Sequence, residues 1–130
     1  MMGTSGIHHL GLSVADLEAT TNFFVKCLGW SVVREVPAYP ARFVSNGEAF
    51  FTLWQTEPGS APFDRRKQVG LHHVAIRVTD QASLTAMHER VSSFPGVVVE
   101  FAPESLGDGP AKHFMVFEPS GTRIEFIWAP

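Results

Sequence analysis

The sequence predicts an α+β fold made of two paired βαβββ modules, whose eight strands form one curved sheet around a cleft. Three observations predict it. A ten-residue pattern occurs twice, as Ile7-His8-His9-Leu10-Gly11-Leu12-Ser13-Val14-Ala15-Asp16 and as Leu71-His72-His73-Val74-Ala75-Ile76-Arg77-Val78-Thr79-Asp80. Each copy leads from alternating apolar residues into helical spacing, and then into short runs bounded by turn residues. The chain has 130 residues, enough for one compact domain of two similar halves. The expected organisation is a single domain with modules at 7–55 and 70–128 and a linker at 56–69.

Each repeat reads as a strand feeding a helix. Side chains alternate between faces in a strand, so Leu10, Leu12 and Val14 share a face with His8, and Gly11 and Ser13 share the other with His9. In the second copy Val74, Ile76 and Val78 go with His72, and Ala75 and Arg77 with His73. The apolar face is expected to lie under a helix, with the small, polar face open to the cleft. Asp16 is a suitable N-cap because its carboxylate can accept unpaired N–H groups of the first turn. The helix it starts runs to about Leu28, with Leu17, Phe24, Cys27 and Leu28 on its buried stripe, and Gly29 ends it. Trp30 to Val36 reads as a strand. Ala41–Ser45 and Glu48–Gln55 follow as a hairpin around Asn46-Gly47.

In the second half Asp80 caps a helix carrying Leu84, Met87, Val91 and Phe94, and Pro95-Gly96 ends it. Val97–Phe101 reads as a strand, Ala102–Ala111 as a Gly/Pro-rich loop long enough to border a site. Lys112–Glu118 and Thr122–Trp128 are strands joined by the turn Glu118-Pro119-Ser120-Gly121.

Composition removes several function classes. Apolar residues make up 45% and eleven residues are Phe, which supplies a core. The formal charge of −3, with no basic run beyond Arg65-Arg66-Lys67, gives nucleic-acid binding no electrostatic footing. One Cys excludes an internal disulfide, and Cys27 sits in an apolar helical pattern. No signal peptide or membrane-length apolar run is evident, so the expected address is a reducing cytoplasm. A small-molecule substrate is the expected partner, and a homodimer the expected assembly.

Three residues carry the chemistry. His9 and His73 occupy the same position of the two repeats. Glu125 sits at the centre of the last strand, where Arg123, Glu125 and Ile127 share one face. A carboxylate in so apolar a strand needs a compensating partner. Arg123 is one option; a divalent cation held with His9 and His73 is the other. Two imidazoles and a carboxylate leave coordination positions open for a substrate, as catalytic metal sites do. Fe, Zn, Mn, Ni and Co all accept this set, one ion per site. His113 is a candidate proton shuttle if the face it shares with Met115 and Phe117 looks into the cleft. Phe51, Trp54 and Phe114 are candidate substrate-binding residues, Arg34, Arg42 and Arg77 candidate anion binders. His8 and His72 are expected to cap or pack on the helix side, and His88 to be solvated.

The chain resembles the vicinal-oxygen-chelate superfamily, the glyoxalase, bleomycin-resistance and dioxygenase group. The resemblance rests on His9 with Asp16-Leu17-Glu18, Phe23-Phe24, Leu28-Gly29-Trp30, Phe51-Thr52-Leu53-Trp54-Gln55, Leu71-His72-His73-Val74-Ala75 and Phe117-Glu118-Pro119-Ser120-Gly121-Thr122-Arg123-Ile124-Glu125-Phe126. It implies a glyoxalase-like fold, a metal in the cleft and often a dimer, with His9, His73 and Glu125 as ligands. A fourth ligand would come from the last strand of the first module. Aligning Gly47 with Gly121 puts Phe51 opposite Glu125, a one-residue slip brings Thr52, and Gln55 is the candidate nearer the strand's end. The implied activity is non-redox lyase or isomerase chemistry on a small substrate that chelates the metal through two oxygens. A metal-free, ligand-sequestering protein of the bleomycin-resistance kind is the first alternative. An extradiol dioxygenase is the second, weakened because the strand His113-Phe114-Met115-Val116-Phe117 lacks the expected Tyr.

Overall fold

A computed structural model describes residues 2–130. The chain divides into two compact units, the first ending at Pro58 and the second beginning at Gly59. The first unit contains β1 (Leu10–Val14), α1 (Leu17–Asn22), a π-helical turn (Phe23–Cys27), β2 (Ser31–Val36), β3 (Ala41–Ser45) and β4 (Phe50–Gln55). The second contains β5 (Val74–Arg77), α2 (Gln81–Ser92), β6 (Val98–Ser105), β7 (Lys112–Phe117) and β8 (Arg123–Trp128). Their sheets have the same order, β1-β4-β3-β2 and β5-β8-β7-β6. In each, the first strand runs parallel to the last and the remaining neighbours are antiparallel. The α+β fold with repeated βαβββ modules is therefore as the repeat predicts. No helix among the described residues is long and apolar enough to cross a membrane.

Both helices start where an Asp side chain can cap them. Asp16 Oδ1 accepts the Ala19 N–H at 3.0 Å, and Asp80 Oδ1 accepts that of Ser83 at 2.7 Å. The Ser83 bonds, backbone first, hold the Asp80 carboxyl below its usual range. Gln55 reinforces the first start. Its Oε1 accepts the Leu17 N–H at 2.8 Å, and its Nε2 donates to the Ala15 carbonyl at 2.6 Å.

The first helix departs from its expected course. After Asn22 it widens: the Leu28 N–H bonds the Phe23 carbonyl five residues back at 3.1 Å. In a regular helix consecutive residues diverge by about 100° and rarely share one buried stripe. Here Phe23 and Phe24 are both fully buried. Phe24 packs against Trp30 and Phe51, with ring centroids 5.0 and 5.5 Å away.

Phe51, Leu53 and Gln55 alternate towards this helix, and Phe50, Thr52 and Trp54 lie on the other face of β4. The expectation that Phe51 binds substrate is thus corrected. It is a core residue, 6% exposed, and the aromatic on the open face is its neighbour Phe50. Phe114 is corrected likewise. It is fully buried, stacked on Phe126 at 4.9 Å, with the His88 ring 5.2 Å away. His88 therefore packs on the core instead of standing in solvent.

The Gly/Pro-rich loop also begins later than expected, because β6 continues through Ala102 and Pro103 to Ser105. β6 is an edge strand with two register shifts against β7. An edge tolerates a residue without an N–H to donate.

Glu118 is 1% exposed, and its carboxylate accepts the N–H groups of Ser120 and Thr122 at 3.0 Å. This side chain sets the turn between β7 and β8, and so the register that carries Glu125. Glu118→Ala leaves amide donors without that acceptor and is expected to destabilise the protein by about 2–3 kcal/mol. Urea denaturation checks this.

Candidate functional site

The small-polar face of the second sheet collects the titratable groups. Glu125 in β8 is in register with Ala75 of β5 and Met115 of β7. His113 stands two residues before Met115 within β7 and so shares its face, and His73, just before β5, also reaches Glu125. Glu125 Oε2 bonds His113 Nδ1 at 2.5 Å, and Glu125 Oε1 lies 3.4 Å from His73 Nε2. Glu125 and His113 are buried, each 8% exposed, so the carboxylate has little water to solvate it. On its far side His113 Nε2 is 3.9 Å from Glu104 Oε1, which is exposed.

The compensating partner of Glu125 is therefore imidazole. Arg123 turns instead to Glu100: its Nε and Nη2 donate to the two carboxylate oxygens at 2.8 and 2.7 Å. That bond is the main force holding the Glu100 carboxyl below its usual range, against desolvation that raises it. A carboxyl depressed in the folded state contributes stability above its ordinary range and loses it as the pH falls through the lowered value. Arg123→Met removes this contribution. The stability gap between wild type and Arg123→Met is therefore expected to be wide at pH 7 and to close below about pH 4, in urea titrations at both pH values.

The histidine pairs differ from expectation. β1 begins at Leu10 and β5 at Val74, so both pairs precede the pleated segments and alternation does not separate them. The Nδ1 atoms of His8 and His9 are 2.8 Å apart, those of His72 and His73 2.7 Å. His8 and His72 are exposed and bonded to their neighbours, not packed beneath a helix. Desolvation first, and the Arg123 charge second, lower the pKa of His72.

His9 belongs to the first unit, while His73, His113 and Glu125 belong to the second. His9 lines a concave pocket of about 450 Å³ with His8, Arg34, Phe43, Phe50, Thr52 and Trp54. Arg34 lies over the Phe43 ring, 5.7 Å from its centroid. Arg42 is taken up by Glu18 at 2.6 Å. The register settles which residue corresponds to Glu125 in this unit. Gly11 pairs with Thr52 as Ala75 pairs with Glu125. Thr52, not Phe51, is thus the counterpart, because the first hairpin has one residue more between its turn glycine and this position. Thr52 Oγ1 accepts the Trp54 indole N–H at 2.9 Å. A Cβ on Gly11 would lie 3.2 Å from that oxygen, so the glycine keeps the space above it open. Gln55 faces the opposite way, with both ends of its amide bonded to backbone.

Among the described residues no three His, Cys, Asp or Glu side chains are grouped to hold a metal ion. His73 and Glu125 stand close as a pair. Their 3.4 Å separation exceeds the roughly 2.7–2.9 Å of a charge-assisted hydrogen bond. Two donors each about 2.1 Å from one tetrahedral ion stand about 3.4 Å apart. The imidazole–carboxylate pair has the donor chemistry and the spacing for two positions on a divalent cation. His113, on the other oxygen, orients the carboxylate as outer partners of metal ligands do. The sequence pattern names His73, His113 and Glu125 but not Glu100, whose pairing depends on which carboxylate Arg123 meets.

Among curated proteins the chain is similar to a 2-epi-5-epi-valiolone epimerase from an Actinomyces species. The two are 28% identical, over 98% of this chain and 81% of that one. Among solved structures it resembles a glyoxylase/bleomycin resistance protein/dioxygenase domain from Frankia sp. EAN1pec, with a TM-score of 0.83 at 19% identity, covering 98% of this chain and 100% of that one. It also resembles a lactoylglutathione lyase from Agrobacterium tumefaciens, with a TM-score of 0.74 at 20% identity, covering 98% and 96%. The model of the Glyoxalase/Bleomycin resistance protein/Dioxygenase superfamily matches residues 6–126, and the chain belongs to that superfamily.

Proposed function

We propose that the protein is a divalent-metal-dependent enzyme of non-redox isomerase, epimerase or lyase type. Its substrate is a small molecule that presents two neighbouring oxygens to the metal. The observation that carries this reading is the gap between His73 Nε2 and Glu125 Oε1, with His113 holding the second carboxylate oxygen. His9 in the first unit is a further candidate ligand. It is proposed on its position in the repeat, which matches that of His73. Similarity to an epimerase supports proton-transfer chemistry over ring cleavage.

A divalent cation in such a set supplies Lewis-acid polarisation of the substrate oxygens. The protein's own groups do the rest. Glu125 and His113 share a short hydrogen bond, so a proton taken up at the carboxylate has a route to His113 Nε2 and on to the exposed Glu104. Within the first unit, Trp54, Phe50 and Phe43 line a pocket with apolar faces suited to an organic ligand, and Arg34 supplies a cation for an anionic group. Gln55 is left out of the ligand set, since both ends of its amide are bonded to backbone.

Elemental analysis of freshly purified, untagged protein tests the reading, followed by product assays for isomerase, epimerase and lyase turnover. About one divalent ion per site is expected, with activity lost on chelation and restored by the ion. Metal-free protein that binds an aromatic ligand equally well with and without His73 and Glu125 would point to sequestration in the pocket. Oxygen consumption on catechols would point to a dioxygenase.

A further inference from the structure

We infer that the pocket of the first unit takes a flat organic anion with a hydrogen-bond acceptor at its opposite end, Thr52 donating to the acceptor and Arg34 binding the anionic group. This rests on the reading of that pocket as a ligand site and needs no metal. Gly11, Thr52, Phe43 and Arg34 are in register and form one row across the first sheet; residues directly opposite each other share a face. The corresponding row of the second sheet is Ala75, Glu125, Met115 and Phe101. The scaffold is the same and the charge is reversed. A hydroxyl stands where the second unit has its buried carboxylate, and a guanidinium where it has an aromatic ring. No residue lining the pocket is acidic. Arg42, on the neighbouring strand, meets Glu18 and Glu35 at 2.6 and 3.6 Å, whereas among the described residues no carboxylate pairs with Arg34.

Thr52 has a donor to give. It is 3% exposed and its Oγ1 accepts the Trp54 N–H at 2.9 Å, while among the described residues nothing takes the hydroxyl's own hydrogen. That hydrogen can turn into the pocket because Gly11 carries no Cβ, which would lie 3.2 Å from the oxygen. The same bond fixes the indole of Trp54, and Tyr39 packs against it edge-to-face with centroids 4.6 Å apart. A ring held in this way is a preformed platform for a flat ligand. Arg34 stands at the Phe43 ring, 5.7 Å from its centroid. Thr52 and Arg34 are two strands apart, so about 10 Å separates their backbones, room for one six-membered ring with a polar group at each end. The pocket's volume of about 450 Å³ suits a ligand of that size.

The test is calorimetric titration with three probes, on protein as purified and after chelator treatment. 4-Acetylbenzoate has both ends, 4-acetylbenzamide lacks the charge and 4-ethylbenzoate lacks the acceptor. Wild type is expected to bind 4-acetylbenzoate about tenfold more tightly than the amide and about fivefold more tightly than the ethyl compound, with or without chelator. Arg34→Gln should erase the preference for the anion. Thr52→Val should erase the preference for the acetyl group, and so should Gly11→Ala, which keeps the hydroxyl and fills the space above it; Thr52→Ser should retain it. Each readout is a ratio of two probes on one protein, so a displaced Trp54 weakens both and cancels. If Thr52→Val does not fold, Gly11→Ala and Arg34→Gln still decide. Wild type that does not bind 4-acetylbenzoate, or ratios unchanged in the folded variants, would overturn the inference. Binding that disappears on chelation would put the carboxylate on a metal, overturning the pocket assignment and leaving the metal reading intact. The expected ratios in protein that holds no metal when freshly purified would sink the metal reading and leave the pocket standing.

Discussion

Glu125→Ala is expected to lose more than about a hundredfold in divalent-metal affinity and to have no measurable turnover. Loss of an outer-sphere partner alone costs about 10–100-fold, and this change removes a proposed ligand. It also takes away the acceptor for His113, a buried imidazole that would keep only the 3.9 Å approach to Glu104. Glu125→Gln separates the two effects. The amide keeps a hydrogen-bonding partner for His113 but gives up the negative charge, so folding stability should be largely retained while metal affinity falls. Calorimetric titration with Zn²⁺ and urea melts on the same samples check both halves. Equal Zn²⁺ affinity in wild type and Glu125→Gln would remove this residue from the coordination set.

The largest loss of stability is expected from Phe114→Ala, about 3–5 kcal/mol. The ring is fully buried, stacked on Phe126 and flanked by His88, in the β-strand beside the one that carries Glu125. Removing it leaves a cavity that strand neighbours on both sides can only partly close. Phe50→Ala is the control: that ring is half-exposed on the open face and should cost much less stability. Urea midpoints compare the two. A Phe114→Ala midpoint close to wild type would contradict its assignment to the core.

The repeat made the architecture legible, because a switch in hydrophobic period is a local signal. Asp16 and Asp80 announced both helix starts, and Asn46-Gly47 the hairpin. Phase was harder to read. Phe50 and Phe51 are adjacent and chemically alike, so the sequence does not show which faces outward. Alignment on turn glycines chose wrongly between Phe51 and Thr52, since the two hairpins differ by one residue. The histidine doublets were misread because alternation was extended past the ends of the strands. His73, His113 and Glu125 could be named from sequence. That Arg123 would choose Glu100 over Glu125 could not, because the choice depends on β6, whose register shifts twice.

The widened turn at Phe23–Cys27 means that the backbone there spends one residue more than a regular helix requires. Such a surplus can be given back. Shortening the chain by one at the half-exposed Val25 should let the turn close to ordinary α geometry with only a modest change in stability, whereas the same deletion inside β4 would invert every side chain beyond it. Length variation in this protein is therefore best tolerated at a place that looks, from its burial, like part of the core.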